Sequence, residues 1–375
     1  MIGAAIIGVF LVGGALAMAR LRALPAAVPP TATHSLTVSV VVPARNEARS
    51  LPDLLGSLAA AGTELHEVIV VDDNSTDDTA RVAAAHGATV IRLDGDPPAG
   101  WTGKNLACAT GASAATAPLL LFVDADVILG RGSIPKLIVA HATRGGLVSV
   151  QPHHRVVRIY EELSAACNVV SMMGSGAFAA WSNRSRPAAF GPCLMTSAAD
   201  YASVGGHHSV RDDVVEDVRL AHRYAAHGLP VTVLVGGTDV SFRMYPGGLG
   251  QLIEGWTKNL SAGSRLAHPL SVVVAVGWVT ACLSVGVLGI RSVFHARTIE
   301  PRDAALHVAL WMAVAIEFRW MLRRIGAFRW LTAVLHPLPM WAFVGLFLRS
   351  TWLNTVRRTV RWRGRQVAAR RFQSG

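Results

Sequence analysis

The sequence contains few cysteines, and they follow neither a metal-binding pattern nor a disulfide framework. No two of the four have CxxC spacing, and one lies within an apolar segment. A structural zinc site and a disulfide-stapled scaffold are therefore excluded, and the usage fits a reducing compartment. The four residues are Cys108, Cys167, Cys193 and Cys282.

Lysine is also scarce. The net charge of +11 comes mostly from arginine, since only Lys104, Lys136 and Lys258 are lysines. Many arginines flank apolar segments and do not alternate with aromatic residues, so a cytoplasmic membrane surface explains the charge better than nucleic acid does. Neither a Walker lysine motif nor GxGxxG follows the first predicted strand. This argues against P-loop enzymes and dinucleotide-binding dehydrogenases.

An apolar segment at the N-terminus predicts a membrane anchor over residues 1–22. Arg20 and Arg22 follow the apolar stretch, whereas a signal peptide carries its positive charge before it. We therefore favour an uncleaved anchor over a cleaved signal peptide. The positive-inside rule then places the following domain in the cytoplasm, so the chain is expected to be a multi-pass protein of the cell membrane.

Three further apolar segments occur within residues 269–350. Residues 269–290 predict a membrane span, residues 304–322 contain interrupting charges, and residues 331–348 are broken by Pro337 and Pro339. A cytoplasmic tail after a cytoplasmic domain needs an even number of crossings, so we expect two crossings and a re-entrant third segment. The basic tail, residues 351–375, is predicted to be cytoplasmic. Residues 357–371 fit either a surface amphipathic helix or a simple topology signal.

Strand and helix patterns alternate from residue 36 onward. This order predicts an α/β fold with a mostly parallel sheet and helices on both faces. Three strands end in polar or acidic loops, at residues 43–47, 72–78 and 124–126. Because ligands bind at the carboxyl ends of the strands in such sheets, these loops predict a crevice for a nucleotide and a metal.

The acidic loop at residues 124–126 follows a short apolar run that is typical of a buried strand. Side chains two residues apart on a strand share a face, so Asp124 and Asp126 are expected to point the same way. Two adjacent carboxylates repel each other, and Mg²⁺ or Mn²⁺ would relieve that repulsion. The alternative is a loop with two solvated acids.

Seven segments carry a family resemblance. They are VVPARNE, VVDDNSTDDT, GWTGKNLA, FVDAD, VGGH, VVEDVRLA and FRMY. In this order they resemble the family 2 glycosyltransferases, which have the GT-A fold, and the likeness covers residues 36–260. Within that family, GWTGK, RMY and the later VRWRGR are most similar to membrane-bound enzymes linked to carotenoid or hopanoid-type lipid biosynthesis.

The resemblance implies a nucleotide diphosphate sugar donor, with a UDP-sugar favoured, and a role for each matching residue. Asp126 would bind the divalent metal, and Asp124 would contact the ribose or share the metal. Lys104, at the start of a predicted helix, would lie beside the nucleotide; a solvated surface lysine is the alternative. The nucleobase and ribose would contact Pro43, Arg45, Glu47 and Asp73.

Glu216 and Asp217 are the expected catalytic acids. Asp217 matches the family's general base, so the sugar would be inverted by a single displacement in which Asp217 removes the acceptor proton. Helix capping is the alternative for both acids. Three residues are acceptor-site candidates, each with packing or an ordinary loop role as its alternative: Gln151, His153 and Trp256.

The QxxRW signature of processive synthases is replaced here by QLIEGW, which argues against a polysaccharide synthase. The sequence therefore predicts a membrane glycosyltransferase that moves one sugar to a lipid hydroxyl or carboxylate. The bilayer and a membrane lipid are the expected partners, and nucleic acid is not. A polyprenyl-phosphate sugar synthase is a second possibility. A non-catalytic scaffold with a degenerate domain is a third.

Overall fold

A computed structural model describes residues 2–26, 36–182, 187–264, 267–295, 298–353, 359–362 and 365–368. The helices are α1 Ile2–Ala17, α2 Leu51–Ala61, α3 Thr79–Ala85, α4 Gly103–Ala114, α5 Ser133–Arg144, α6 Ser164–Ser175, α7 Ala198–Ser203, α8 Glu216–Ala226, α9 Leu249–Ser264, α10 Pro269–Phe294, α11 Pro301–Ile325, α12 Trp330–Val334 and α13 Pro337–Trp352. The strands are β1 Val38–Ala44, β2 Leu65–Asp73, β3 Thr89–Leu93, β4 Leu119–Val123, β5 Val127–Leu129, β6 Leu147–Gln151, β7 His153–His154, β8 Cys193–Ser197, β9 Val231–Val235, β10 Val240–Phe242, β11 Thr359–Trp362 and β12 Arg365–Ala368. Two 3₁₀ turns cover Ile159–Leu163 and Gly206–Val210.

The chain forms two compact units, and their boundaries differ from the predicted domains. One unit holds residues 21–155 and 182–244, and the other holds residues 1–20, 156–181 and 245–375. The expected catalytic domain, residues 36–260, is thus not one continuous unit. Residues 156–181 and 245–260 belong with the apolar helices instead. We call the two the sheet unit and the helical unit.

The sheet unit is built on a seven-stranded sheet in the order β3-β2-β1-β4-β8-β6-β9. All neighbours are parallel except β8, which is antiparallel to both β4 and β6. This confirms the predicted mostly parallel α/β sheet. Strands β5, β10 and β7 form a second, three-stranded sheet.

Apolar residues cover both faces of the large sheet because alternate side chains of a strand point in opposite directions. Leu121 of β4 packs in a cluster with Leu54 of α2 and Leu137 of α5. Phe122, one residue later, packs on the other face in a cluster with Leu220 of α8. Burial on both faces explains why β4 reads as a continuous apolar run and not as an alternating one.

The helical unit contains the apolar helices. Among the described residues, α10 and α11 are long and apolar enough to cross a bilayer. Helix α1 has 16 residues, which gives about 24 Å and falls short of the roughly 30 Å of hydrocarbon. It packs closely on α10, since a side chain at Gly277 of α10 would collide with Phe10.

The two remaining C-terminal predictions have different outcomes. The third apolar segment is interrupted where expected: α12 ends at Val334, and α13 begins at Pro337. For residues 357–371, the surface-helix alternative does not hold in the described part of the tail, where β11 and β12 pair as antiparallel strands. The alternation of Val360 and Trp362 with polar residues has the two-residue period of a strand. Residues 357–358, 363–364 and 369–371 lie outside the described residues.

Candidate active site

Lys104 lies between two carboxylates in the sheet unit. Its Nζ is 2.8 Å from Asp124 Oδ1 and 2.9 Å from Glu216 Oε1. Burial alone would lower the pKa of Lys104, but the charges of Asp124 and Glu216 raise it well above its ordinary value. The lysine therefore stays charged and is not the solvated surface residue that the sequence left open. It links the end of β4 to the start of α8.

Glu216 and Asp217 begin α8, and their environments push their pKa values apart. Burial would raise the pKa of Glu216, but the Lys104 ammonium lowers it below its usual value. For Asp217, burial and then the charge of Glu216 raise the pKa from 3.8 to about 7. Asp217 therefore exchanges a proton near neutral pH, as a general base must.

Two backbone N–H groups hold the Asp217 carboxylate. Gly191, which precedes β8, donates to Oδ2 at 2.8 Å, and Val218 donates to Oδ1 at 2.9 Å. A Cβ at Gly191 would lie 3.3 Å from both Lys104 Nζ and Glu216 Oε1, so a side chain here would press on that ion pair. The sequence predicts that residues 191–195 end a strand beside the acceptor, but the bond from Gly191 to Asp217 carries no sequence signal.

The loops after β1 and β2 are joined by hydrogen bonds. Arg45 Nη1 donates to the Asp73 carbonyl at 2.6 Å, and the Glu47 N–H donates to Thr79 Oγ1 at 2.8 Å. Asp72 accepts from the Ser75 N–H at 3.0 Å and so stabilises its own turn. Half-buried Pro43 lies on β1 beside these loops.

Asp73 connects these loops to the start of α4. Its buried carboxylate lies directly against Gly103, where a side chain would collide with Oδ2. Arg45 Nη1 is 3.9 Å from the same oxygen. The predicted nucleotide residues Arg45, Asp73 and Lys104 are therefore assembled at one edge of the sheet.

Asn105 is a positioning residue that the sequence analysis missed. It is fully buried at the start of α4, and its Nδ2 donates to the carbonyls of Val210, Arg211 and Asp213 at 2.7, 3.2 and 3.0 Å. These bonds fasten the segment that leads into Glu216. A polar residue on the buried face of a helix was the signal that could have revealed it.

The acceptor candidates are dispersed. Gln151 ends β6, at the same edge of the sheet as Asp124, because two successive antiparallel pairings make β6 parallel to β4. His153 instead pairs with Ser241 in the small sheet. Trp256 lies in the helical unit, only 3% exposed, and its Nε1 donates to Ser164 Oγ at 2.9 Å. A platform for an acceptor needs an exposed ring face, so the structure corrects this expectation, and Trp256 is a core residue.

Asp124 and Asp126 lie in a turn and not on the strand itself. β4 ends at Val123, and the Val127 N–H donates to the Asp124 carbonyl at 3.0 Å. The argument from strand alternation therefore does not apply to this pair. Both side chains are half-buried.

A divalent metal at Asp124 and Asp126 would need further ligands from its substrate and from water. No cluster of three or more His, Cys, Asp or Glu side chains able to hold a metal occurs in the part of the chain that the structure describes. Two carboxylates alone suit Mg²⁺ or Mn²⁺, which commonly take one or two carboxylates and complete their coordination with substrate phosphates and water. At the observed site, the single ammonium of Lys104 faces two carboxylates, Asp124 and Glu216.

Comparisons with known proteins are consistent with this geometry. The model of "Glycosyl transferase family 2" matches residues 39–168. The 4,4'-diaponeurosporenoate glycosyltransferase of Staphylococcus aureus strain USA300 is 37% identical over 341 residues, which cover 90% of this chain and 89% of that protein. The corresponding protein of the bovine strain RF122 / ET3-1 is 35% identical over 342 residues, which cover 90% of each chain.

A solved structure has the same fold. The mannosyltransferase PcManGT from Pyrobaculum calidifontis, in complex with GDP-Man and Mn²⁺, matches with a TM-score of 0.55 and 18% identity. The match covers 95% of this chain and 97% of that one. At this identity the likeness shows the fold alone, and it confirms the expected GT-A architecture.

Proposed function

Because the chain belongs to glycosyltransferase family 2, we propose that it transfers a sugar from a nucleotide diphosphate sugar to the carboxylate of a carotenoid-like lipid, with inversion at the anomeric carbon. The observation that carries the proposal is an ionised Glu216, paired with Lys104, beside Asp217, whose pKa is about 7. The lipid class rests on the relatives, whose name specifies a diaponeurosporenoate and whose similarity spans nearly the whole chain.

On the donor side, Arg45, Asp73 and Lys104 would contact the nucleotide, with Pro43 and Glu47 shaping the same pocket. Asp126, with Asp124, would hold the divalent cation. A bound Mg²⁺ or Mn²⁺ supplies Lewis-acid stabilisation of the charge that develops on the leaving diphosphate. Lys104 adds a second, permanent positive charge from the protein.

On the acceptor side, Asp217 is the base. A carboxylic acid held in an apolar lipid environment has a raised pKa and is partly protonated at neutral pH. Asp217 takes that proton as the acceptor oxygen bonds to the anomeric carbon and the bond to the diphosphate oxygen breaks. The Gly191 and Val218 N–H groups keep the carboxylate oriented for this transfer.

The apolar helices support a membrane location for the protein. Helices α10 and α11 would cross the bilayer, and α1, which is shorter than a full span, would be an interfacial or partial anchor. Such an arrangement would let the lipid chain stay in the bilayer while its carboxyl end reaches the sugar. The cytoplasmic side is proposed from the arginine distribution.

The test uses purified protein in detergent with one polyene carboxylic acid, its methyl ester, the matching alcohol and a polyprenyl phosphate, each with UDP- and GDP-sugars. Mass spectrometry should detect a glycosyl ester from the acid and no product from the methyl ester. The anomeric configuration, read by NMR, should be opposite to that of the donor. Product from the polyprenyl phosphate alone would replace this proposal with the polyprenyl-phosphate synthase. Absence of turnover with every donor would favour the non-catalytic scaffold.

A further inference from the structure

An open groove lies on the surface of the helical unit, between α11 and α12. Its volume is about 640 Å³, and its walls are mainly apolar, with arginines among the lining residues. The apolar walls include Met312 and Ile316, which are 49% and 64% exposed, and Trp330, which is 65% exposed. Because Met312 and Ile316 lie on α11, which is long and apolar enough to cross a bilayer, this wall of the groove would face hydrocarbon.

On α11, arginines follow the apolar residues along the same side of the helix. Met312, Ile316, Arg319 and Arg323 follow one another at spacings of four, three and four residues, so they form one stripe on the helix. From Ile316 to Arg323 the helix rises about 10 Å. A ligand along this stripe would meet hydrocarbon at one end and guanidinium groups at the other.

Contacts with neighbouring residues hold two of the arginines in place. Arg324 lies over the Trp320 ring, 4.3 Å from its centroid, and Arg319 Nη1 donates to the Phe328 carbonyl at 2.7 Å. Within the described parts of the chain, no carboxylate forms an ion pair with Arg319, Arg323 or Arg324. In contrast, neighbouring Arg329 forms an ion pair with Glu162, with 3.7 Å between Nε and Oε1.

The cluster lies at one end of a helical hairpin. Ser292 near the end of α10 lies 2.6 Å from His307 near the start of α11, and Trp278 donates to Glu317 at 3.2 Å. The two helices are therefore antiparallel, and Arg323 and Arg324 lie at the same end as the start of α10. In a bilayer, arginines and tryptophans at a helix end occupy the headgroup level.

We propose that this groove binds one anionic phospholipid, with its phosphate on Arg319, Arg323 and Arg324 and its acyl chains along Met312 and Ile316. Arginine matches phosphate geometrically as well as electrostatically, and basic pockets beside membrane helices bind such headgroups. A zwitterionic lipid offers no net charge to match the cluster. The arginine-rich tail of this chain has the same sign as the cluster and is excluded as an occupant.

The experiment measures lipid retention by the full-length protein. The protein is delipidated in detergent and then incubated with an equimolar mixture of phosphatidylglycerol and phosphatidylcholine. Native mass spectrometry then reports which lipid stays bound. The test variant is Arg323→Gln/Arg324→Gln, and the matched control is Arg291→Gln/Arg302→Gln, which removes the same charge from the opposite end of the hairpin. Arg323→Lys/Arg324→Lys keeps the charge and checks that the site tolerates substitution.

Phosphatidylglycerol should be retained by the parent and by the control. Its affinity should fall about 30-fold in Arg323→Gln/Arg324→Gln, the effect of two arginines near an anionic surface. Arg323→Lys/Arg324→Lys should lose much less affinity for phosphatidylglycerol. Equal retention of both lipids by the parent, or equal losses in the test and control variants, would each overturn the proposal. No sugar transfer enters the readout, so failure here is separate from failure of the proposed enzyme activity.

Discussion

The raised pKa of Asp217 leads to a specific pH dependence of sugar transfer. A base with a pKa of about 7 is half ionised at pH 7 and about one-tenth ionised at pH 6. The parent rate should therefore fall about fivefold between these pH values and about tenfold more by pH 5. An aspartate with its ordinary pKa of 3.8 would leave the rate almost constant over this range.

Two variants test this dependence, Glu216→Gln and Asp217→Asn. After burial, the charge of Glu216 is the second cause that raises the pKa of Asp217. Removing it while Lys104 stays charged should lower the pKa of Asp217 and move the acid limb of the profile to lower pH. Asp217→Asn cannot accept a proton, and its rate on an alcohol acceptor should fall by roughly 10²- to 10⁴-fold at pH 7.

Ionisation of the acceptor can be separated from ionisation of Asp217. A carboxylic acid acceptor also titrates, but its pKa does not depend on residue 216, so a shift caused by Glu216→Gln belongs to the enzyme. An ionised carboxylate acceptor has no proton to remove and needs no base. The defect of Asp217→Asn should therefore diminish with rising pH when the acceptor is the acid, and it should persist when the acceptor is the alcohol.

The assay is chromatographic measurement of the glycolipid at saturating donor, with donor affinity measured by calorimetry for each variant. Donor affinity should stay close to that of the parent in Asp217→Asn. Parent-level transfer to the alcohol by Asp217→Asn, or an acid limb that Glu216→Gln leaves in place, would refute the assignment of Asp217 as the base.

Three further predictions concern the donor side. EDTA should abolish turnover and Mg²⁺ or Mn²⁺ should restore it, with a loss of about 10²-fold or more for Asp126→Asn; full activity in EDTA would contradict a metal requirement. Lys104→Met leaves two carboxylates unpaired and should lower the free energy of unfolding by about 1–3 kcal/mol. This is less than for a fully buried pair, because the lysine side chain is 35% exposed. In thermal melting, Mn²⁺ should stabilise this variant more than it stabilises the parent. Equal stabilisation would argue against a site in which Mn²⁺ and Lys104 contact the same carboxylates. Asp73→Asn should weaken donor binding about 10- to 100-fold in calorimetry, since a charged hydrogen-bond acceptor is lost, whereas unchanged affinity would remove Asp73 from the donor site.

The sequence by itself determined the fold class and most of the candidate residues. Strands buried on both faces must be apolar along their whole length, and their ends must become polar where ligands bind. That pattern indicated the strand Leu119–Val123 and the loops that follow β1, β2 and β4. The same pattern predicts that Arg45 and Asp73 lie at one edge of the sheet, whereas the position of Lys104 beside a nucleotide is what its helix start and the family resemblance imply.

The tertiary structure decided the environments of those residues, because environment depends on neighbours that are distant in sequence. Lys104 is an internal counterion since the start of α8 lies beside the end of β4. Burial, which no spacing reveals, is the largest cause that raises the pKa of Asp217; the charge of the adjacent Glu216 comes second. Trp256 packs in a core because α9 belongs to the helical unit, although the local sequence is equally compatible with an exposed platform.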